Sequence, residues 1–283
     1  MNRLENMATV NGIRMHYRRA GDGPPLFLLH GWPQTSHCWR QVMAPLAETH
    51  TVIAPDLRGY GHSDKPKSGY DKRTMAADIA ALADHLGFAK TAVAGHDRGG
   101  RVAHRWALDR PDQVDRLAVL DIVPTRAMWQ RLDVIAKPSW HWLFHLQPDL
   151  PELLAGQNIA AYLGYFFERW TYQRHALDAD TQAEYVRAFS QPGALRAGFD
   201  DYRASFPDDA ELDDADFEAG KRVTQPLLAL WGANGLVGTL PTLEIWREYA
   251  ADVTGEALAE CGHFLPEEQP GEVVAHLRKF LDP

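Results

Sequence analysis

The stretch Gly95-His96-Asp97-Arg98-Gly99-Gly100 sets a carboxylate between glycines, where a short apolar run, Thr91 to Ala94, gives way to a helical pattern, Arg101 to Asp109. Such a strand-to-helix junction is tight and lifts its central side chain into a cleft above the sheet. A hydroxyl nucleophile in that place needs a base to take its proton. Asp97 does not, because a carboxylate with an ordinary pKa of about 3.9 is already an anion at neutral pH, and the positive end of the following helix favours it. Attack on an acyl group would give a reactive anhydride, whereas attack on a saturated carbon gives an ordinary ester. The turn therefore predicts displacement at an sp3 carbon, followed by opening of the ester.

Opening that ester requires a base and a place for the developing negative charge. His263, in the loop Cys261-Gly262-His263 after the last apolar strand, stands where the chain order nucleophile, acid, His puts the base. Its task would be to take a proton from water; a structural role in the turn is the alternative. The loop Gly232-Ala233-Asn234-Gly235-Leu236 has no carboxylate, so the acid that orients His263 is expected at Asp121. That residue ends the strand Leu117 to Leu120, at the sheet edge where ligands bind in open α/β folds. A cap on the turn Asp121-Ile122-Val123-Pro124 is the lesser alternative, and the two roles can coexist. His30-Gly31-Trp32-Pro33 follows the strand Leu26 to Leu29. Pro33 has no N–H, so Trp32 is the expected main-chain donor to the oxyanion, with the N–H of Arg98 as the second.

Arg98 adjoins the nucleophile, and Arg101, four residues on from Asp97, shares its helix face. Unpaired guanidiniums on a buried helix are unfavourable. A planar, bidentate contact with a substrate carboxylate would satisfy them; ion pairs with Asp78, Asp84 or other local acids are the competing explanation. Arg105 and Arg110 are assigned to such ion pairs.

The elements that must hold these groups alternate along the chain. Strands are expected at Leu26 to Leu29, Thr51 to Ala54, Thr91 to Ala94, Leu117 to Leu120, Pro226 to Trp231 and Glu256 to Leu258. Helices are expected at Ser36 to Glu48, Thr74 to Leu86 and Gly99 to Asp109, with capping chemistry at Asp71 to Arg73. This is an α/β pattern, a mostly parallel, doubly wound sheet. Residues 125–221 change to aromatic-rich helical segments broken by prolines and read as an inserted helical cap, so that 1–124 and 222–283 form the core domain. With 283 residues and 45% hydrophobic content the chain has enough apolar surface for one large core. A net charge of −9 without a basic stripe argues against a nucleic-acid partner. Two cysteines, Cys38 and Cys261, are too few for a disulfide framework and are expected as free thiols. The N-terminus lacks an apolar leader and no run approaches a membrane span, which predicts a cytoplasmic protein without membrane contact.

Together, Gly95-His96-Asp97-Arg98-Gly99-Gly100-Arg101, Asp121-Ile122-Val123-Pro124, Trp140-His141-Trp142 and Asp201-Tyr202-Arg203 resemble the fluoroacetate (haloacetate) dehalogenases of the α/β-hydrolase superfamily. The similarity runs over nearly the whole chain. The elbow is shared with haloalkane dehalogenases and epoxide hydrolases; the paired arginines with the His-Trp cap motif are more specific. The resemblance implies an α/β-hydrolase fold, with Asp97 as nucleophile, His263 as base, Asp121 as its partner, and Arg98 and Arg101 as carboxylate binders. It also implies His141, Trp142 and Tyr202 as the halide pocket, whose imidazole, indole and phenol supply three donors for a strongly hydrated leaving group. Without it, Trp140 to Trp142 read as a packed aromatic segment. Trp170 is a possible pocket wall, or core. The expected substrate is a small anionic haloacid and the expected assembly a homodimer, and with nucleophile and base both side chains no cofactor or metal is needed. An epoxide hydrolase would use Tyr202 but leave the arginines without a purpose, and a haloalkane dehalogenase meets the same objection. A catalytically silent carboxylate sensor would have no use for His263.

Overall fold

The computed structural model describes residues 5–282; the expected lack of an apolar leader rests in part on residues 1–4, outside the described residues. Eight strands form one sheet: β1 (Glu5–Val10), β2 (Ile13–Ala20), β3 (Pro25–Leu29), β4 (Thr51–Pro55), β5 (Thr91–His96), β6 (Val114–Leu120), β7 (Leu227–Gly232) and β8 (Val253–Leu258). Their order is β1-β2-β4-β3-β5-β6-β7-β8. The first two pairings, β1 with β2 and β2 with β4, are antiparallel, and the rest are parallel. Strands β3 to β6 are buried along nearly their whole length. Parallel strands covered on both faces require such continuous apolar runs, which is why these were readable.

The N-terminal hairpin was not among the expected strands, although its signal is present. Asn11 and Gly12 both have positive φ, 44° and 80°, as a two-residue hairpin turn requires. β1 and β2 thus extend the sheet on its antiparallel edge, away from the elbow.

Helices α1 (Arg40–Leu46), α2 (Lys72–His85) and α3 (Arg98–Asp109) follow β3, β4 and β5. The helix expected from Ser36 begins as a 3-10 turn, Ser36–Trp39, and ends at Leu46. Asp71 caps α2 by accepting the N–H of Thr74 at 2.8 Å. Between β6 and β7 the chain is helical: α4 (Thr125–Trp129), α5 (Leu132–Ile135), α6 (Trp140–His145), α7 (Leu150–Ala155), α8 (Ile159–Trp170), α9 (Ala179–Phe189), α10 (Ala194–Arg203) and α11 (Ala210–Glu218). This is the segment expected as the cap. Helices α12 (Thr242–Tyr249), α13 (Leu265–Glu268) and α14 (Pro270–Leu281) complete the chain. No helix among the described residues is long and apolar enough to cross a membrane. Cys38 and Cys261 are buried free thiols.

The junction of β5 and α3 depends on the absence of a side chain at Gly99. A Cβ there would lie 2.3 Å from the carbonyl oxygen of His30 and 2.5 Å from that of Leu29. Glycine lets the first turn of α3 press on the end of β3, bringing Asp97 and the segment after β3 together.

Candidate active site

Asp97 occupies the turn between β5 and α3 with φ 47° and ψ −120°, a conformation that costs a non-glycine residue about 1–3 kcal/mol. The strain turns its carboxylate over the C-terminal edge of the sheet. The Trp32 N–H donates to Oδ1 at 2.8 Å. That approach needs Gly31, where a Cβ would sit 2.4 Å from the Cβ of Asp97. Arg98 opens α3, so its main-chain N–H has no acceptor within the helix. Burial works to raise the Asp97 pKa, but the charges of His263 and Arg98 and the Trp32 hydrogen bond outweigh it, and the carboxyl is held below its ordinary value.

His263 and Asp121 meet as expected, Nδ1 to Oδ2 at 2.6 Å. Asp121 also has positive φ, 52°, and its other oxygen accepts the N–H of Gly232 at 3.0 Å. The loop after β7, which lacks a carboxylate, therefore supplies a main-chain donor to one carried by β6. Nε2 of His263 lies 4.0 Å from Oδ2 of Asp97 and has no hydrogen-bond partner among the described residues. Three contacts that the sequence did not reveal fix its loop. His96 Nε2 donates to the His263 carbonyl at 2.7 Å. The His263 N–H donates to the Trp170 carbonyl at 2.8 Å. Glu268 accepts the N–H groups of Gly262, Phe264 and Tyr172 at 3.0, 2.9 and 2.7 Å.

Burial lowers the pKa of His263, but the hydrogen bond and charge of Asp121, with the charge of Asp97, carry it above the ordinary imidazole value. Burial also pushes Asp121 upward; a 2.6 Å contact fits a carboxylate accepting the Nδ1–H. A base works only when deprotonated, so any step that uses His263 slows as pH falls through this raised value. Converting Asp97 to a neutral ester removes one of the charges that raise it. The His263 pKa in an ester-bearing enzyme is therefore expected below that of the free enzyme. Comparing an NMR titration of free His263 with the pH profile of single-turnover ester breakdown checks this; equal midpoints would contradict the coupling.

Asp97, Asp121 and His263 line a cavity of about 530 Å3 together with Arg101, His141, Trp142 and Trp170. Arg101 is 5% exposed. Its Nη1 donates to the Val123 carbonyl and to Thr125 Oγ1, both at 3.0 Å, and its guanidinium lies 4.9 Å from the centre of the Trp142 ring. Among the described residues no carboxylate pairs with it, and Nε has no partner. Burial, with the like charge of Arg98, pushes its pKa down to about 10. His141 lines the cavity with Nδ1 unpartnered, and burial takes it down to about 3, leaving a neutral imidazole.

The expectation of two unpaired guanidiniums needs correction at Arg98. Its Nε and Nη2 donate to Asp201 Oδ1 at 2.9 and 2.5 Å, and Nη2 also reaches Ser205 Oγ at 2.9 Å. The acid that satisfies it comes from α10, not from the local candidates: Asp78 pairs with Arg58, and Asp84 with Arg110. Arg98 keeps one unpartnered nitrogen, Nη1, and does not line the cavity. Tyr202 is buried and not among the side chains lining the cavity; its ring packs against His141 and Trp142 at centroid distances of 5.6 and 5.9 Å, and burial together with the charge of Asp97 pushes its hydroxyl well above the ordinary phenol pKa. Arg105 takes the bland assignment, pairing with Asp109, Asp213 and Asp216.

The alpha/beta hydrolase fold family matches residues 24–270. Over 98% of this chain and 97% of the relative, a soluble epoxide hydrolase from Corynebacterium sp. (strain C12) is 42% identical. A fluoroacetate dehalogenase from Burkholderia sp is 39% identical over 97% of this chain and 92% of its own. A solved structure from Nostoc sp PCC 7120, described as an alpha/beta hydrolase, superposes with a TM-score of 0.95 at 43% identity, covering 98% of this chain and 97% of that one. A carboxylate at the elbow, a His–Asp pair beside it and a main-chain donor facing it are the parts of a hydrolytic site, and the chain belongs to the alpha/beta hydrolase fold family.

Proposed function

We propose that this hydrolase is a haloacetate dehalogenase that converts fluoroacetate and water to glycolate and fluoride. The observation that carries the reading is Arg101, a buried cation in the same cavity as Asp97 with no carboxylate partner among the described residues. A guanidinium so placed favours a ligand that brings its own carboxylate. The exposed Lys137 and Arg169 line the same cavity and add positive potential to an otherwise acidic chain.

In the first step Oδ2 of Asp97 attacks the α carbon, and the C–F bond breaks with its electron pair leaving on fluoride. Oδ1, held by the Trp32 N–H, becomes the ester carbonyl oxygen. In the second step His263 takes a proton from water, and the hydroxide adds to that carbonyl. The charge then collects on Oδ1, where the Trp32 N–H already donates and the Arg98 N–H is the second donor. Collapse passes the proton held by His263 to the departing glycolate oxygen, and Asp97 returns to the carboxylate by losing water's second proton to solvent, so the net products are glycolate, fluoride and one proton. His141, Trp142 and Tyr202 serve as donors to departing fluoride. Trp170 forms a wall.

The epoxide hydrolase relative supports a second reading, in which Tyr202 protonates the ring oxygen of an epoxide. The two readings separate in one assay. Purified enzyme is given fluoroacetate, chloroacetate, chloroacetamide and a small neutral epoxide, with halide, glycolate and diol measured. Glycolate and halide from the acids, with at most weak turnover of the amide and the epoxide, is the expected result; diol formation without haloacid turnover selects the alternative. The homodimer, a proposal from the resemblance, and the cytoplasmic location, a proposal from the sequence, do not enter the chemistry.

A further inference from the structure

Asp201 has no role in the chemistry above, yet its carboxylate accepts four side-chain hydrogen bonds beside the site. It is fully buried. Oδ1 accepts from Arg98 Nε and Nη2 and from Lys72 Nζ, and Oδ2 accepts the Tyr60 hydroxyl at 2.6 Å. It adjoins Tyr202 on α10, and Arg98 lies 4.4 Å from the centre of the Tyr202 ring. The cation beside the nucleophile is thus tied through a cap aspartate to a second buried cation. The next cation on the same helix, Arg101, has no such partner.

We propose that Asp201 is a specificity-determining residue that neutralises Arg98, so that Arg101 alone presents uncompensated buried charge to the substrate and the site is matched to a single carboxylate. The inference rests on the haloacetate reading and sets its substrate class: small monoanions rather than dianions. Two free guanidiniums would suit a dianion such as malonate and would hold product glycolate and bulk chloride more tightly. With Asp201 in place, Arg98 offers at most the hydrogen bond of Nη1. Asp201 also keeps Arg98 aligned against Tyr202.

The test is equilibrium binding of acetate, malonate and neutral acetamide to wild-type protein and Asp201→Asn by calorimetry, independent of turnover. Removing a unit charge in contact with Arg98 should tighten acetate binding roughly five-fold and malonate binding more, by the Coulomb interaction expected at such range. Acetamide binding should stay unchanged. A merely structural Asp201 would weaken all three ligands or none. Wild type that binds acetate while the variant binds it no tighter overturns the role of Asp201 and leaves the haloacetate reading intact. If only the variant binds acetate, the neutralising role stands and the haloacetate reading falls; if neither binds, both fall. Should Asp201→Asn fail to fold, Lys72→Met reads the same balance from the other side. Asp201 then acts on Arg98 alone, and acetate binding should weaken about three-fold; unchanged binding overturns the proposal.

Discussion

Arg101→Leu is expected to lower kcat/KM for haloacetates by about 100-fold or more, the usual cost of removing one partner of a desolvated charge pair. Most of the loss should appear in KM, because the carboxylate is held in ground and transition states alike. Folding should not suffer to match. Arg101 is buried with no acid to pair with among the described residues, and replacing such a cation by a packed apolar side chain is often neutral or stabilising. The two hydrogen bonds lost, to Val123 and Thr125, work against that gain. The melting temperature is therefore expected to remain equal or rise slightly while haloacetate activity collapses. Any residual activity on chloroacetamide should be unchanged, since it has no carboxylate. A variant that loses stability and activity together, or keeps its haloacetate kinetics, removes the reason for assigning Arg101 to the substrate.

How far the sequence could be read follows from the range of each interaction. The parallel strands and the elbow are local: apolar runs, glycines and one carboxylate within a few residues of each other. Asp121 and His263 were legible because each lies in the segment that follows a strand's C-terminal end, and the ends of the parallel strands meet along one edge of the sheet. The partner of Arg98 was not legible. Asp201 lies 103 residues away, in α10, and only the packing of that helix against the elbow brings it there. It stood inside the Asp201-Tyr202-Arg203 motif, yet nothing in the residue type says that its carboxylate turns toward Arg98. The same holds for Glu268 and His96, whose contacts pin the His263 loop through main-chain atoms that no side-chain pattern records. The hairpin of β1 and β2 differs in kind, because Asn11-Gly12 is a local signal that was present and not used.

The relation of His263 to Asp97 underlies the second large effect. Asp97 reaches the α carbon without help, so His263→Asn should leave the displacement step working while slowing ester hydrolysis by roughly 10,000-fold, the upper range for loss of a positioned base. Asn is close in size and neutral, so the Asp121 side of the loop should survive. Steady-state turnover disappears, but one displacement per site remains. This separates covalent catalysis from direct attack of water on the substrate, in which removing the base would stop halide release altogether. The deciding measurement incubates His263→Asn with fluoroacetate and follows released fluoride together with the intact mass of the protein. At most one fluoride per site, with a matching gain of one carboxymethyl group localised to Asp97, is the predicted result. Continuous turnover, or fluoride release with Asp97 unmodified, would contradict it.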